Sequence, residues 1–354
     1  MKSFEFHLFP KVVFGVDQLD RIGRLIKERS NGKGVMICYD SGNWIMPLVQ
    51  RIQQNLIESK FEEVYIYQGI SANSNYSECR KGLAEFEKTE ANILIAVGGG
   101  SVMDASKWIA HQSKVDYFVT IPTTAGTGSE LNEWAVLKNE ATNIKESYPY
   151  RAADLAILDP TVTVSMPLAG TIFTALDAFS HGMEAYLSNQ SSTITDELAL
   201  AGCQTIVDHL GNCLKNCNNI ESRTQLMEAS LMTGMAMLNA GLGVLHCIAN
   251  IAPGFYPEYP HGYFCAHLLK NTLLLNKDMV SREKVDKLKP LVEKADALFS
   301  DFLKSHPTKP FVIEQRDLPE LIGAAVENTN RLTNPKPVTE NVIKELITNT
   351  FITS

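Results

Sequence analysis

Short apolar runs alternate with amphipathic stretches through the first part of the chain. Gly34-Val-Met-Ile-Cys-Tyr-Asp40 is an apolar run bounded by a glycine and a polar turn, and residues 61–67, 91–97, 117–121 and 156–158 repeat that signature. Before and between them, residues 17–28, 46–59 and 76–88 carry apolar positions at helical spacing. Buried strands that alternate with helices predict a parallel sheet with helical crossovers. After Asp159-Pro160 the strand-like runs stop. Helical patterns follow over residues 169–187, 195–216, 221–250, 262–275, 282–304, 318–332 and 340–350. Ser281 predicts an N-cap with Glu283 in the first turn, and Pro335 and Pro337 break the chain before the last helix. The pattern predicts an α/β domain over residues 1–160 and an all-α domain over 161–354.

Composition narrows the partners. The 354 residues predict two domains at about 150 residues each. Lys and Arg number 32 against 40 Asp and Glu, a net charge of −8. No basic excess exists to neutralise phosphates, so nucleic acid is not the expected partner. No uncharged apolar run reaches the ~18 residues of a membrane span. The first ten residues lack the apolar core of a signal peptide. The seven cysteines form no CxxC pair and read as reduced thiols. A cytoplasmic protein is the expectation.

Two glycine-bearing turns follow successive predicted strands. Ile93-Leu-Ile-Ala-Val97 runs into Gly98-Gly99-Gly100-Ser101-Val-Met-Asp104 and then a helical pattern. Glycines permit a sharp turn and a close ligand approach, and a helix N-terminus suits a pyrophosphate. The spacing is not GxGxxG, and a plain tight turn fits it too. The second turn is Pro122-Thr123-Thr124-Ala-Gly-Thr127-Gly-Ser129-Glu130, whose hydroxyls and free amides can donate to phosphate. Ligands in open α/β sheets gather at the carboxyl ends of strands. Asp40 ends the first apolar run, where a carboxylate can accept from a ribose diol or simply close a turn.

Among eight histidines, His181 follows Asp177 by four residues, which places both on one helix face. That spacing can hold a metal ion and is also a common surface pair. His246 sits late in an apolar helical pattern, and His261 stands in Pro260-His-Gly262. If these four met in space, one carboxylate and three imidazoles would suit Fe²⁺ or Zn²⁺.

Taken in order, these motifs resemble the iron-containing (group III) alcohol dehydrogenase family. The resemblance rests on Phe14-Gly15, Gly98 to Asp104, Pro122 to Glu130, Leu158-Asp-Pro160, Asp177-Ala-Phe-Ser-His-Gly-Met-Glu-Ala-Tyr186, Asn239-Ala-Gly-Leu-Gly243 and Pro260-His-Gly262. It implies a Rossmann-like dinucleotide-binding domain and a helical metal-binding domain, the dehydroquinate synthase-like fold, with the active site in the cleft between them. It implies Asp177, His181, His246 and His261 as metal ligands. It places Gly98, Gly99, Gly100, Ser101 and Asp104 on the pyrophosphate side, and Thr123, Thr124, Thr127, Ser129, Val136 and Lys145 in contact with the cofactor. Asp40 falls where an acidic residue disfavours NADP, so NAD is the expected cofactor.

Three departures stand out. Members similar to this chain often carry a second histidine four residues after the one at 246, and here the residue is Asn250, which cannot titrate. His261 and Asn250 are the catalytic candidates. The interval from His246 to His261 is one residue longer than the usual pattern, and the stretch 107–121 is short for the family. The resemblance implies a metal-dependent, NAD-linked enzyme interconverting a small primary alcohol and its aldehyde. Phosphonoacetaldehyde reductase-type and glycerol dehydrogenase-like activities are the alternatives within this architecture. A dehydroquinate synthase-like lyase lacks its substrate-binding basic residues here. A nucleotide sensor with lapsed catalysis is the non-enzyme reading, favoured by Asn250. Family members are often dimers, and the alternating segment Phe4-Glu-Phe-His-Leu-Phe9 reads as a strand able to pair across a two-fold axis.

Overall fold

A computed structural model describes residues 3–141, 145–306 and 311–353. The chain divides into two compact units, residues 8–166 and the remainder.

The first unit contains strands β1 (Lys11–Phe14), β2 (Gly34–Asp40), β3 (Glu63–Ile70), β4 (Ile93–Gly98), β5 (Tyr117–Pro122), β6 (Trp134–Lys138), β7 (Lys145–Pro149) and β8 (Leu155–Leu158). Its helices are α1 (Ile22–Lys27), α2 (Met46–Glu58), α3 (Tyr76–Phe86) and α4 (Gly100–Gln112). Among the described residues, six strands form one parallel sheet in the order β1-β8-β5-β4-β2-β3. Alternate residues of a strand face opposite sides. Val35, Ile37 and Tyr39 of β2 accordingly join the core that holds Leu25 and Ile26 of α1 and Val49, Ile52 and Leu56 of α2. Met36 and Cys38 join the opposite core, with Cys79 and Phe86 of α3 and Val102, Met103 and Ile109 of α4. The sheet is therefore covered on both faces. Its connections run one way from β2 to β3 and the other way from β4 to β5, which makes the β2–β4 junction the switch point where such sheets bind ligands. Register pairs Tyr39 with Val97, so Asp40 and Gly98 end neighbouring strands.

Three local expectations are corrected. Residues 3–9 carry no regular element, whereas β1 follows them and completes the sheet edge beside β8. The antiparallel hairpin β6–β7 gave no strand signal, because its second strand is Lys-Glu-Ser-Tyr-Pro. Residues 17–28 split into a 3-10 turn, Gln18–Arg21, and α1.

The second unit contains α5 (Leu168–Leu187), α6 (Thr193–Lys215), α7 (Ile220–Ala240), α8 (Val244–Ala249), α9 (Ala252–Phe255), α10 (His261–Asn276), α11 (Arg282–Ser305), α12 (Leu318–Glu327) and α13 (Glu340–Thr350). Strands β9 (Val312–Ile313) and β10 (Ile352–Thr353) pair in parallel. Helix α5 packs against α6, α7, α10 and α11. The long helix expected over 221–250 is broken. Gly241 adopts φ +77°, and the chain bends by 98° between α7 and the α8–α9 segment. A side chain at 241 would be strained there and would meet Thr333 Oγ1 at 2.7 Å. Ser281 caps α11 by accepting from Lys284 N.

The unit boundary differs from the one the pattern predicts. Asp159 Oδ1 caps the turn Pro160–Thr163 through Thr161 N at 3.0 Å, and its Oδ2 accepts from Leu19 N at 2.9 Å. That turn stays with the first unit, and the change comes after Met166. The described residues up to His7 group with the helical unit. Asn239 on α7 holds them, accepting from His7 N at 2.8 Å and donating to His7 O at 3.0 Å. Among the described residues, no single helix is long and apolar enough to cross a membrane.

Candidate functional site

Helix α5 is buried from residue 175 to 187, with no polar face left for solvent. Its ionisable groups Asp177, His181 and Glu184 must therefore find partners inside the protein. Asp177 and His181, four apart, lie on one face, and their Oδ1 and Nε2 atoms are 3.5 Å apart. Two other helices bring the remaining imidazoles to the same carboxylate oxygen. His246 Nε2 of α8 stands 3.5 Å from Asp177 Oδ1, and His261 Nε2 of α10 stands 3.3 Å from it. The four residues suggested by the resemblance thus meet around one atom.

Each approach has a local cause. His261 is the first residue of α10, after the extended Pro260. Gly262 follows because a Cβ there would lie 2.1 Å from Phe173 O, so only glycine lets α10 press onto the α5 backbone. His246 depends on Glu184, two helical turns beyond Asp177 and fully enclosed. Glu184 Oε1 accepts from Leu245 N at 2.7 Å, and Oε2 accepts from Gly243 N at 2.9 Å. Oε2 also takes a 2.7 Å hydrogen bond from His246 Nδ1. One carboxylate caps α8 and holds the imidazole. Asn334 Oδ1 adds a hydrogen bond from Val244 N at 3.1 Å.

These bonds assign the tautomers. His246 Nδ1–H faces Glu184, and His261 Nδ1–H donates to Ala249 O at 2.8 Å. Both bonds occupy Nδ1 and leave Nε2 as the nitrogen that turns to Asp177 and can ligate a metal once its proton is given up, the arrangement that supports metal-ligating histidines. His246 Nε2 is buried and makes no hydrogen bond. Donor atoms sharing one tetrahedral ion at about 2.0–2.3 Å stand about 3.3–3.8 Å apart. The spacings around Asp177 Oδ1, 3.3–3.5 Å, fit one divalent cation. His261, with 28% of its side chain exposed against 5% or less for the other three, is the edge that solvent reaches.

The electrostatics agree with a cation site. Burial works against the Asp177 carboxylate, but His181, His261 and His246 outweigh it and hold the group well below the usual carboxylate range. Burial likewise opposes charge on His261, yet Cys265 and Asp177 raise it to about 10. A bound cation takes the place of these protons, so metal binding releases them.

The first unit gathers a second set at the strand ends. Asp40 Oδ1 accepts from Gly42 N at 2.6 Å, a turn role that uses one carboxylate oxygen. Gly98 O accepts from Thr123 N at 2.9 Å, and Gly99 and Gly100 lie against Thr124 and Thr127. The two glycine-bearing turns are therefore one packed surface. The thirteen-residue α4 turns its N-terminal amides to it. Asp104 joins Ser129 to Val136: Ser129 Oγ donates to its Oδ1 at 2.5 Å and Val136 N to its Oδ2 at 3.0 Å. Lys107, wholly buried, donates to Ser129 Oγ, Asn132 Oδ1 and Trp134 O at 2.7, 3.1 and 2.6 Å. Asp104 thus braces the turn that carries the threonines. Asn73, with φ +60°, joins Lys145 to Ser101, accepting from Lys145 Nζ at 2.8 Å and donating from its own N–H to Ser101 Oγ at 3.1 Å. Asn250 caps α8, its N–H bonded to His246 O at 3.2 Å.

Sequence reasoning assigned no role to Glu184, Asn73, Lys107 or Cys265. Glu184 and Cys265 carried a signal, since they lie seven and four residues from Asp177 and His261 on the same helix faces. Asn73 sits in the polar run Ser71-Ala-Asn-Ser-Asn75 after β3, and Lys107 carried none.

Comparison with known proteins identifies the family of this chain. The family model for iron-containing alcohol dehydrogenases matches residues 10–160, and the model for the C-terminal part of that family matches residues 171–351. The chain is 29% identical to a 1-propanol dehydrogenase of Citrobacter freundii, over 98% of this chain and 99% of that protein. It is 31% identical to alcohol dehydrogenase 4 of Saccharomyces cerevisiae, over 79% of this chain and 77% of the relative. Among solved structures, a 1,3-propanediol oxidoreductase superposes with a TM-score of 0.87 at 26% identity, covering 99% of this chain and 100% of the other.

Proposed function

Because this chain belongs to the iron-containing alcohol dehydrogenase family, oxidoreductases acting on CH–OH groups, we propose that it is an NAD(H)-linked enzyme for a small primary alcohol and its aldehyde. The observation that carries the reading is the convergence of His181, His246 and His261 on Asp177 Oδ1. These four residues would hold Fe²⁺ or Zn²⁺. When bound, the cation would supply a Lewis acid for the substrate oxygen, and a nicotinamide would supply the hydride chemistry at the adjacent carbon.

The chain's own groups do the positioning. Glu184 and Ala249 O keep the protons of His246 and His261 on Nδ1. The buried walls of α5 and α8 exclude water, and the partly exposed edge of His261 is the side from which a substrate oxygen enters. Asn250 has no titratable proton, so at this position the substrate proton would reach solvent by another route. In the first unit the α4 N-terminus and the threonine turn take the pyrophosphate. Asp40 accepts from the ribose diol and repels a 2′-phosphate, which selects NAD. Aldehyde reduction is the working direction. The propanol and propanediol dehydrogenases among the relatives support a short-chain substrate.

All seven cysteines are free thiols, which supports a cytoplasmic setting. Phe4, Phe6, Leu8 and Phe9 are exposed, and a second copy of the chain would cover them in a homodimer. A monomer in sedimentation at micromolar concentration would contradict that assignment. The functional test is NADH oxidation by anaerobically purified, Fe²⁺-loaded protein across small aldehydes, a phosphonate included. Turnover with a short unbranched aldehyde is expected. Bound metal and bound NADH with no turnover on any of them would overturn the reading. His261→Ala should lose metal and turnover together.

A further inference from the structure

Cys265 lies one turn along α10 from His261 and is fully buried. Its Sγ is 3.4 Å from His261 Nε2 and 3.4 Å from Asp177 Oδ1, to which the thiol donates. Together Asp177, His246, His261 and Cys265 present four donor atoms that all lie within 4.8 Å of one another. His246 Nε2 in this group is 1% exposed as a residue and has no hydrogen bond, so an unpartnered buried donor faces the same space as the sulfur. Sulfur bound to zinc at about 2.3 Å stands about 3.5 Å from nitrogen or oxygen ligands of the same tetrahedral ion. The spacing of Cys265 to its two neighbours matches that edge.

We propose that Cys265 is a metal-directed donor, its thiolate joining Asp177, His181, His246 and His261 as a fifth donor to the cation and biasing the site toward zinc. The inference rests on the metal-dependent reading above. Thiolate is a soft ligand that suits Zn²⁺, whereas a carboxylate-and-imidazole set accepts Fe²⁺ and Zn²⁺ alike. The step balances: the Cys265 S–H bond breaks, its electron pair forms the S–metal bond, and the proton leaves to solvent. A second anionic ligand also lowers the net charge of the loaded site, because Asp177 and Cys265 together neutralise a divalent ion.

Cobalt substitution tests this without reference to turnover. Co²⁺ takes the same ligands and reports sulfur through a thiolate-to-cobalt charge-transfer band in the near ultraviolet, beside the ligand-field bands that any bound Co²⁺ shows. The wild-type protein should show both. Cys265→Ser and Cys265→Ala, checked for native circular dichroism, should keep the ligand-field bands and lose the charge-transfer band. Cys247→Ser should keep it, since the Cys247 thiol turns to Asn328 O at 4.0 Å. The zinc-over-iron affinity ratio should fall about tenfold or more in Cys265→Ser, the scale of losing one interaction at a metal site. Ligand-field bands without a charge-transfer band in the wild type would overturn the role of Cys265 and leave the metal centre standing. Failure of stoichiometric Co²⁺ to bind at all would overturn the metal centre, and the proposal with it.

Discussion

Glu184 is the residue whose loss should separate folding from metal binding. It is 3% exposed and accepts from Gly243 N, Leu245 N and His246 Nδ1. In Glu184→Gln the shape is kept, but one acceptor becomes an NH₂ donor. If the amide oxygen takes the Oε2 place, Leu245 N–H faces NH₂ and is left unpaired, which costs about 1–3 kcal/mol. If the oxygen takes the Oε1 place, Gly243 N–H and His246 Nδ1 face the NH₂. The imidazole then relieves the clash by moving its proton to Nε2, which blocks the lone pair the metal needs. Either outcome weakens the support of a ligating histidine, an effect of about 10–100-fold in metal affinity. That range corresponds to about 1.4–2.8 kcal/mol. Zinc affinity should be read by competition with a chromophoric chelator, and stability by thermal unfolding of the metal-free protein. The account expects a fall in affinity larger than the fall in stability alone would produce. Affinity within about twofold of wild type would refute the claim that Glu184 sets the His246 tautomer.

Three further predictions follow from particular contacts. Gly262→Ala should destabilise the fold by about 3 kcal/mol in urea unfolding and lose zinc, because its Cβ would lie 2.1 Å from Phe173 O; a stable variant that binds zinc normally would contradict the role given to that close approach. Lys107→Met should cost about 3–5 kcal/mol and weaken NADH binding, since it leaves Asp104 buried without its cation; a loss under about 1 kcal/mol would show that the brace is not needed. Burial pushes the Glu130 carboxyl up to about 7, against the pull of its own backbone amide and of Lys107. The folded protein then holds that proton more tightly than the unfolded chain does. The benefit is present below the unfolded value of 4.5 and is lost as pH rises through about 7. Glu130→Gln should remove a decline on the order of 3 kcal/mol between pH 5 and pH 8; an unchanged pH profile would exclude that burial effect.

The parts of the fold that sequence exposed were those with a continuous physical signal. Gly34 to Tyr39 and Ile93 to Gly98 are apolar throughout because both faces of the parallel sheet are covered, and their strands lie where the pattern predicts. Residues 4–9 alternate equally well, yet their apolar side chains are exposed and no strand forms. Alternation shows that one face differs from the other and not that a partner strand exists. The helical pattern over 221–250 hid the bend at Gly241, because apolar residues continue through a break that only the φ of one glycine marks. The site divides in the same way. The spacing of Asp177 and His181 places them together on one helix. His246 and His261 lie 69 and 84 residues beyond Asp177, separations that no spacing rule links, and only the family resemblance joined them to Asp177. Glu184 and Cys265 stayed without roles because a carboxylate or thiol in an apolar helix shows its partner only when the facing helix is in place.

The most direct test of the account is metal dependence at this one centre. The purified protein should be stripped with a chelator, checked for retained fold, and assayed for NADH oxidation with propanal before and after anaerobic return of Fe²⁺ or Zn²⁺. The account predicts no turnover when stripped, recovery with one equivalent of metal, and no recovery in Asp177→Asn. Full turnover by the stripped protein, or equal recovery in Asp177→Asn, would contradict it.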